Sequence, residues 1–194
     1  MNQVLAVPIS SGSYPVGTGG FLNPDRIVDE LHIQEGMQIA DFGSGSGYFT
    51  ISMGERVGSS GKVHALDVQE DKLDDVRVKA GVKNLENIET IRADLEVLGS
   101  SSLPDNSQDI VLLANILFQS DKKAEIFKEA MRILKKEGTM IVIDWKKGTG
   151  SFGPPDGRRT DDLEMISMAE KSNFKLKSKL DAGQFHYGLI FTTG

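Results

Sequence analysis

The sequence lacks cysteine altogether and contains only one tryptophan and three histidines in 194 residues. Without cysteine there is no disulfide and no thiolate metal site, and chemistry that needs substrate-binding thiols is excluded. Long apolar runs are also missing, because no segment approaches the ~18 residues of a membrane span. The first residues carry no basic side chain ahead of a weakly apolar stretch, which does not fit a secretory signal. We therefore expect a cytoplasmic protein with no membrane span and no metal.

Basic residues are outnumbered by acidic ones, with 22 Lys and Arg against 28 Asp and Glu and a net charge of −6. Proteins that grip phosphate backbones usually carry the opposite charge, so this balance disfavours nucleic acid as a partner. The length fits one α/β domain. Residues 1–23 are rich in Gly, Ser and Pro without a period, which predicts a flexible arm ahead of a single domain over residues 24–194.

Short apolar segments alternate with amphipathic ones along that domain. One helix is predicted to begin at Asn23-Pro24, with Asn as its cap. Further helices are predicted over residues 48–57, 70–80 (ending at Gly81), 122–134 and 161–171. Strands are predicted over residues 37–42, 62–68, 87–93, 109–114, 139–145, 175–180 and 185–192. This alternation indicates an α/β Rossmann-like doubly wound sheet of seven strands, mostly parallel, with a C-terminal antiparallel hairpin where two strands follow each other directly.

A glycine-rich turn follows the first predicted strand. Gly43, Gly45 and Gly47 form G-x-G-x-G rather than the G-x-G-x-x-G of dinucleotide sites, because position 48 is Tyr. Such a turn brings backbone close to a ligand and aims the N–H groups of the next helix at it. Asp41, just before the turn, would repel a pyrophosphate but attract the ammonium group of an amino acid. The spacing therefore disfavours a dinucleotide.

Two more carboxylates end the next two predicted strands. Asp67 lies where a carboxylate accepts ribose hydroxyls, a feature shared with NAD proteins. Asp94 lies where a carboxylate can accept from an adenine amino group. Taken singly, each could instead be a loop cap or a turn residue. Together with Asp41 they mark one cleft at the carboxyl ends of three consecutive strands, where such sheets bind ligands.

Four segments resemble class I S-adenosylmethionine-dependent methyltransferases, and most of all the type-11 group that includes ubiquinone- and menaquinone-biosynthesis methyltransferases. Residues 39–50 (IADFGSGSGYFT) are similar to the family's motif I, and residues 63–67 to its second motif. Residues 103–111 resemble the approach to the fourth strand, and residues 133–138 the turn before the fifth. The family's sheet also ends in an antiparallel hairpin.

The resemblance implies a methyltransferase with S-adenosylmethionine as cofactor and S-adenosylhomocysteine as product. In its pattern, the first loop and the residue after the fourth strand hold the methionine part, Asp67 the ribose, and Asp94 with Leu95 the adenine. The residues implied to bind the cofactor are Asp41, Gly43, Ser44, Gly45, Gly47, Asp67, Val68, Asp94, Leu95 and Asn115.

Methyl transfer requires a nucleophile placed in line with an already activated methyl group, and a base only when that nucleophile is protonated. His186 and Asp144, predicted at the carboxyl edge of the sheet, are the candidate catalytic bases. Their structural alternatives, a packed hairpin histidine and a turn-forming aspartate, remain open, as does core packing for Trp145. The residues predicted to line the acceptor site are Tyr14, Phe118, Trp145, Lys146 and Tyr187.

The loop over residues 146–160 is long for a strand-to-helix link. Lys146, Lys147, Arg158 and Arg159 would place four positive charges at the mouth of the cleft, where they attract an acidic substrate or an RNA phosphate, or are simply solvated. We expect this loop and the arm to become ordered over the cleft when ligand binds.

The sequence thus favours a methyltransferase that acts on a small molecule. A methyltransferase acting on protein or RNA, an NAD-linked oxidoreductase, and a relic that binds cofactor without turnover are the alternatives. Residues 115–118 read Asn-Ile-Leu-Phe instead of N-P-P-[YF], which disfavours methylation of adenine or glutamine nitrogens.

Overall fold

The computed structural model describes residues 22–150 and 152–194, so that most of the predicted arm, including Tyr14, lies outside the described residues. The helices are α1 (Pro24–Glu30), α2 (Tyr48–Val57), α3 (Glu70–Val82), α4 (Lys123–Ile133) and α5 (Asp162–Lys171). Short 3₁₀ turns cover Leu117–Gln119 and Asp156–Arg158. The strands are β1 (Gln38–Phe42), β2 (Lys62–Asp67), β3 (Ile88–Arg92), β4 (Gln108–Ala114), β5 (Leu134–Trp145), β6 (Phe174–Leu180) and β7 (His186–Thr193).

The strands form one seven-stranded sheet in the order β3-β2-β1-β4-β5-β7-β6. β1 to β5 pair in parallel, and β7 pairs antiparallel with both β5 and β6. The predicted fold, a mostly parallel doubly wound sheet with a C-terminal antiparallel hairpin, is confirmed. The strand order reverses between β1 and β4, and the carboxyl ends of strands open a crevice at such a switch point.

Helices cover both faces of the sheet. Phe127 on α4 packs with Phe42 and Leu113 on one face, and Met53 on α2 packs with Ile39 and Ile141 on the other. The continuous apolar runs of the central strands are explained by this two-sided burial. Within the described chain, no helix is both long and apolar enough to cross a membrane.

Two predicted bounds are wrong. α3 continues through Gly81 to Val82, because the packed face of Leu73, Val76 and Ala80 outweighs the roughly 1 kcal/mol that an exposed helical glycine costs. β5 begins at Leu134 rather than Thr139, since Leu134 already pairs with Gln108 before an irregularity in the ladder. Of the other predicted bounds, none differs from the structure by more than one residue.

Candidate functional site

An open cleft of about 560 Å³ lies at the carboxyl ends of β1 to β4. This volume is within the range of small-molecule sites. Nine of the ten residues predicted to bind the cofactor line it, namely Asp41, Gly43, Ser44, Gly45, Asp67, Val68, Asp94, Leu95 and Asn115. The tenth, Gly47, faces α3 instead: a Cβ atom at this position would lie 2.8 Å from Cγ2 of Val76. Gly47 therefore allows close packing of the loop on α3.

The glycine loop is held in shape by β2. The backbone N–H groups of Gly43 and Ser44 both donate to the carbonyl of Leu66, at 2.8 and 2.9 Å. Gly43 and Gly45 have φ of 70° and 50°, the left-handed region that favours glycine. Nothing lies within 4 Å of a Cβ atom built on Gly45. The loop therefore leaves space for a ligand beside its backbone.

Asp67 links that loop to the next one. One carboxylate oxygen accepts the backbone N–H of Gly45 and the other accepts that of Gln69, both at 2.9 Å. A carboxylate oxygen has more than one acceptor position, so both oxygens remain able to accept from a ligand. The two backbone hydrogen bonds fix the orientation that a pair of vicinal hydroxyl groups would require.

Asp41 lies at the inner end of the cleft and is only 2% exposed. The hydroxyl of Thr50 on α2 donates to it at 2.5 Å. The pKa of Asp41 is raised to about 7, mainly by burial and to a smaller extent by the nearby Asp67, while the hydrogen bond from Thr50 acts to lower it. A buried carboxylate in this state favours a cationic partner, because opposite charge restores its ionised form.

Two polar atoms near this end have no hydrogen-bond partner among the described residues. The side-chain oxygens Ser44 Oγ and Asn115 Oδ1 are buried and form no hydrogen bond to any described residue. Asn115 follows β4 with φ of 58°, and its backbone N–H donates to the carbonyl of Ile143 at 2.8 Å. Buried polar atoms are almost always paired in native proteins. Together with Asp41, these atoms fit a ligand end that is positively charged and rich in hydrogen-bond donors.

The other end of the cleft has apolar walls. Val68 and Leu95 line it together with Ile126 of α4. Asp94 is exposed at its rim, where one carboxylate oxygen accepts the backbone N–H of Glu96 at 3.0 Å. Apolar walls with a carboxylate at the edge fit a planar base that carries an amino group.

Sequence reasoning missed several residues that line the cleft, among them Ile116 and Glu96. Ile116 packs over the glycine loop, and Glu96 is held at the rim by the hydroxyl of Ser120 at 2.7 Å and by Lys122 at 3.3 Å. Ser120 and Lys122 lower the pKa of Glu96. Both lining residues directly follow predicted ones in the sequence, Asn115 and Leu95, and this adjacency is the only signal that marks them.

Of the residues predicted for the acceptor site, Tyr14 lies outside the described residues, and the others, Phe118, Trp145, Lys146 and Tyr187, are not among the residues that line the cleft. The two candidate bases, Asp144 and His186, are not among the lining residues either. His186 is 3% exposed, its ring centroid lies 4.1 Å from that of Trp145, and neither of its nitrogens has a hydrogen-bond partner among the described residues. Burial, with help from Lys146 and Arg159, lowers the pKa of His186 to about 4.

Asp144 and Tyr187 face the other side of the sheet from Trp145 and His186, because neighbouring residues of a strand point to opposite faces. The carboxylate of Asp144 accepts two backbone N–H groups, those of Trp145 at 2.8 Å and Phe118 at 3.1 Å. Burial raises its pKa to about 6. Burial also raises the pKa of Tyr187, whose hydroxyl has no hydrogen-bond partner in the described part of the chain.

The prediction of four free positive charges on loop 146–160 is wrong for Arg159. Its guanidinium is 3% exposed and donates to carbonyls of its own loop, including those of Lys146 and Pro154. The Lys146 ammonium donates to the carbonyl of Gly183, and Lys147 pairs with Glu164 at 3.8 Å. The loop is therefore folded around one of the cations expected at its surface.

Among the described residues, no group of three or more His, Asp or Glu side chains is placed to hold a metal ion.

A family model described as "Methyltransferase domain" matches residues 33–188. Among curated proteins, the ubiquinone/menaquinone biosynthesis C-methyltransferase of Hahella chejuensis is 30% identical over 128 residues, which are 63% of this chain and 48% of that protein. The demethylmenaquinone methyltransferase of Geobacillus stearothermophilus is 28% identical over 123 residues, 63% of this chain and 51% of that protein. The chain thus spans about half the length of the curated relatives it matches.

Solved structures share the fold of this chain. A crystal structure of a SAM-dependent methyltransferase from Aquifex aeolicus is 25% identical, with a TM-score of 0.82 over 90% of this chain and 91% of that chain. The [4+2]-cyclase SpnF, at 14% identity and a TM-score of 0.75, covers 92% of this chain and 87% of its own. At that identity the likeness is one of fold alone.

Proposed function

This chain belongs to the methyltransferase-domain family, as its motifs predicted, and from that premise we propose that it transfers a methyl group from S-adenosylmethionine to a small-molecule acceptor. The match to the methyltransferase-domain family and the likeness to the SAM-dependent methyltransferase of Aquifex aeolicus support this cofactor. When bound, the cofactor supplies a methyl group that its sulfonium has already activated. The chain has to hold the cofactor, exclude water and place the acceptor in line.

The carrying observation is the contrast between the middle of the cleft and its inner end. Asp67 presents a fixed carboxylate in the middle. At the inner end lie the buried carboxylate of Asp41 and side-chain oxygens of Ser44 and Asn115 that have no hydrogen-bond partner among the described residues. A nucleoside that carries an amino acid would satisfy both. A dinucleotide would instead bring a pyrophosphate next to the loop that Asp41 precedes, where two negative groups repel.

The small-molecule acceptor is supported by apolar residues in the cleft lining and by the charge of the chain. Leu22, Phe49 and Ala114 line the cleft, and the net charge of −6 disfavours a nucleic-acid acceptor. The quinone-biosynthesis relatives also act on small molecules by their names. Because both predicted bases lie outside the cleft lining, we favour an acceptor that needs no proton removed by a side chain.

Calorimetric titration tests the cofactor. We expect S-adenosylhomocysteine to bind, 5′-methylthioadenosine (which lacks the amino-acid part) to bind more weakly, and NAD not to bind. Replacing Asp41 by Asn should weaken the binding of S-adenosylhomocysteine roughly 10- to 100-fold, as expected for loss of a charged hydrogen bond. The affinity for methylthioadenosine should be nearly unchanged. NAD binding as tightly as S-adenosylhomocysteine would overturn the assignment.

Turnover needs a separate measurement, because the fold itself does not require methyl transfer. Release of S-adenosylhomocysteine from S-adenosylmethionine, followed by mass spectrometry over a panel of small phenols, quinols and amines, should identify an acceptor class. Tight cofactor binding without release for any panel member or cell extract would favour the relic without turnover.

A further inference from the structure

Asp144 is one of the most enclosed carboxylates in the described chain. It is 1% exposed and lies at the end of β5, on the face that packs against α4 and α5. Both carboxylate oxygens are engaged, because Oδ1 accepts the backbone N–H of Trp145 and Oδ2 accepts that of Phe118. Asp144 does not line the cleft. A carboxylate in these surroundings is placed to hold backbone rather than to take a proton from an acceptor.

The backbone that it holds is a wall of the cleft. Phe118 lies in the 3₁₀ turn Leu117–Gln119, which follows directly on Asn115 and Ile116. Asn115, Ile116 and Gln119 all line the cleft, and the side-chain amide of Gln119 donates back to the carbonyl of Asn115 at 3.1 Å. We name residues 115–119 the cleft wall. The hydrogen bond from the Phe118 backbone N–H to Asp144 links the 3₁₀ turn of this wall to β5.

We propose that Asp144 is a positioning residue, which fixes the cleft wall through the Phe118 N–H and thereby sets the affinity of the site for its cofactor. The effect on cofactor rests on the proposed function, whereas the effect on the wall does not. Asp144 acts through Asn115 and Ile116, which face the ligand, and does not itself touch the reacting groups.

The arrangement is sensitive to protonation for a geometric reason. Two backbone N–H donors point at the two oxygens of Asp144, so a protonated carboxyl, which carries its own donor, must give up one of them. The charged and titratable groups that face it are Lys123 from α4, which favours the ionised form, and the Tyr187 hydroxyl from β7. Burial dominates and raises the pKa of Asp144 to about 6. The wall should therefore loosen as pH falls below this value.

Amide hydrogen exchange followed by NMR tests the wall directly, without ligand. In Asp144→Ala, and to a lesser extent in Asp144→Asn, the Phe118 amide should exchange at least about 10-fold faster, the change expected when roughly 1.4 kcal/mol of local protection is lost. Asp109→Asn is the matched control, because Asp109 also accepts a backbone N–H, that of Gln38 at 2.8 Å, but at the opposite edge of the sheet. It should leave Phe118 exchange unchanged. In the unsubstituted protein, Phe118 protection, corrected for intrinsic exchange, should fall between pH 7 and pH 5.

Affinity supplies the second readout. Asp144→Asn should weaken the binding of S-adenosylhomocysteine roughly 3- to 30-fold, the range of indirect coupling. It should also reduce the loss of affinity between pH 7 and pH 5, and the loss that remains belongs to Asp41, whose pKa is about 7. Unchanged Phe118 exchange in both Asp144 variants would overturn the proposal, and so would faster exchange with unchanged affinity. Lost turnover with normal exchange and normal affinity would identify a base instead. If the unsubstituted protein bound no S-adenosylhomocysteine, the proposed function would fail, while the exchange data would still decide whether Asp144 holds the wall.

Discussion

The side chain of Ile116 occupies the space next to the Cα of Gly43: a Cβ atom built on Gly43 would lie 2.1 Å from Cγ2 of Ile116. Gly43 also has φ of 70°, a conformation that other L-residues adopt only at a cost. The glycine loop and the cleft wall are thus in direct contact. This contact exists only because residue 43 has no side chain.

Replacing Gly43 by Ala should therefore displace Ile116 and strain the loop. We expect a loss of about 2–4 kcal/mol in the free energy of unfolding, from overpacking and the positive φ together, and at least tenfold weaker cofactor binding. The double variant Gly43→Ala/Ile116→Ala should recover the steric part but not the backbone part. Urea unfolding of the single and double variants gives the coupling between the two sites, and strictly additive losses would show that the contact is unimportant.

The raised pKa of Asp41 has a consequence for stability. Its pKa is about 7 in the folded protein against an ordinary 3.8, so the folded state binds this proton more tightly. The stabilisation is complete below pH 3.8 and is lost as pH rises through about 7. Asp41→Asn keeps an acceptor for Thr50 and removes the buried charge. It should thus be more stable than the unsubstituted protein at pH 8, by about 1–3 kcal/mol.

Thermal unfolding of both proteins at pH 4, 6 and 8 checks this prediction. The difference should shrink towards pH 4, where Asp41 is neutral in the folded protein. The same substitution is expected to weaken cofactor binding. Asp41 would then be a residue that favours binding and lowers the stability of the fold. A less stable Asn variant at pH 8 would mean that the ionised carboxylate is stabilised by a group other than Thr50.

Glu129 on α4 organises the segment between β3 and β4. Its fully buried carboxylate accepts the N–H of Gly99 at 2.7 Å, the N–H and hydroxyl of Ser101, and the guanidinium of Arg132. Burial alone would raise the pKa of Glu129, but these hydrogen bonds outweigh it and lower the pKa to about 2. The stabilisation is therefore present above the ordinary pKa of 4.5 and is lost as pH falls from there through about 2.

Glu129→Gln should cost about 2–4 kcal/mol at pH 7, because it leaves Arg132 without its buried partner and turns a donor towards donors. Glu125→Gln is the matched control on the same helix, where the carboxylate pairs with Lys128 at the surface. That pair should contribute less than about 1 kcal/mol. Urea unfolding at pH 7 and pH 3 distinguishes the Glu129→Gln variant from the Glu125→Gln variant. Equal losses of unfolding free energy at pH 7 would contradict the role given to Glu129.

The sequence allowed most of the strand-end residues that line the cleft to be predicted, because strand ends can be located from apolar runs. In a parallel sheet those ends lie at one edge, which brings Asp41, Asp67 and Asp94 to the same cleft. The contact between Ile116 and Gly43 could not be predicted from the sequence. It depends on how the turn after β4 folds back, and no local pattern encodes that direction.

The positions of the residues predicted for the acceptor site were harder to infer from the sequence, for two physical reasons. Nearness to a strand end does not determine the face, and Asp144 and His186 point to opposite faces of the sheet. Strand alternation could have revealed this separation. The role of Arg159 had no such signal, because a cation that donates to the carbonyls of its own loop looks the same in sequence as one exposed to solvent.

Arg159 yields the last prediction. Its guanidinium donates to the carbonyls of Lys146, Phe152 and Pro154, and lies 5.6 Å from the ring centroid of Trp145, the only tryptophan. Lysine has no planar fork and can satisfy only part of this set. In Arg159→Lys, loop 146–160 should therefore become sensitive to protease, Trp145 emission should shift, and the free energy of unfolding should fall by about 1–3 kcal/mol.

Arg158→Lys is the control, since the neighbouring Arg158 is exposed. It should leave protease sensitivity and emission unchanged. The same digestion tests whether the loop becomes ordered with ligand, as the sequence predicted. A loop built around Arg159 should resist protease equally with and without S-adenosylhomocysteine, and only the Lys variant should gain protection from it. Protection that rises on cofactor addition in the unsubstituted protein would instead mean that the loop closes over the cleft, and that Arg159 holds the closed form.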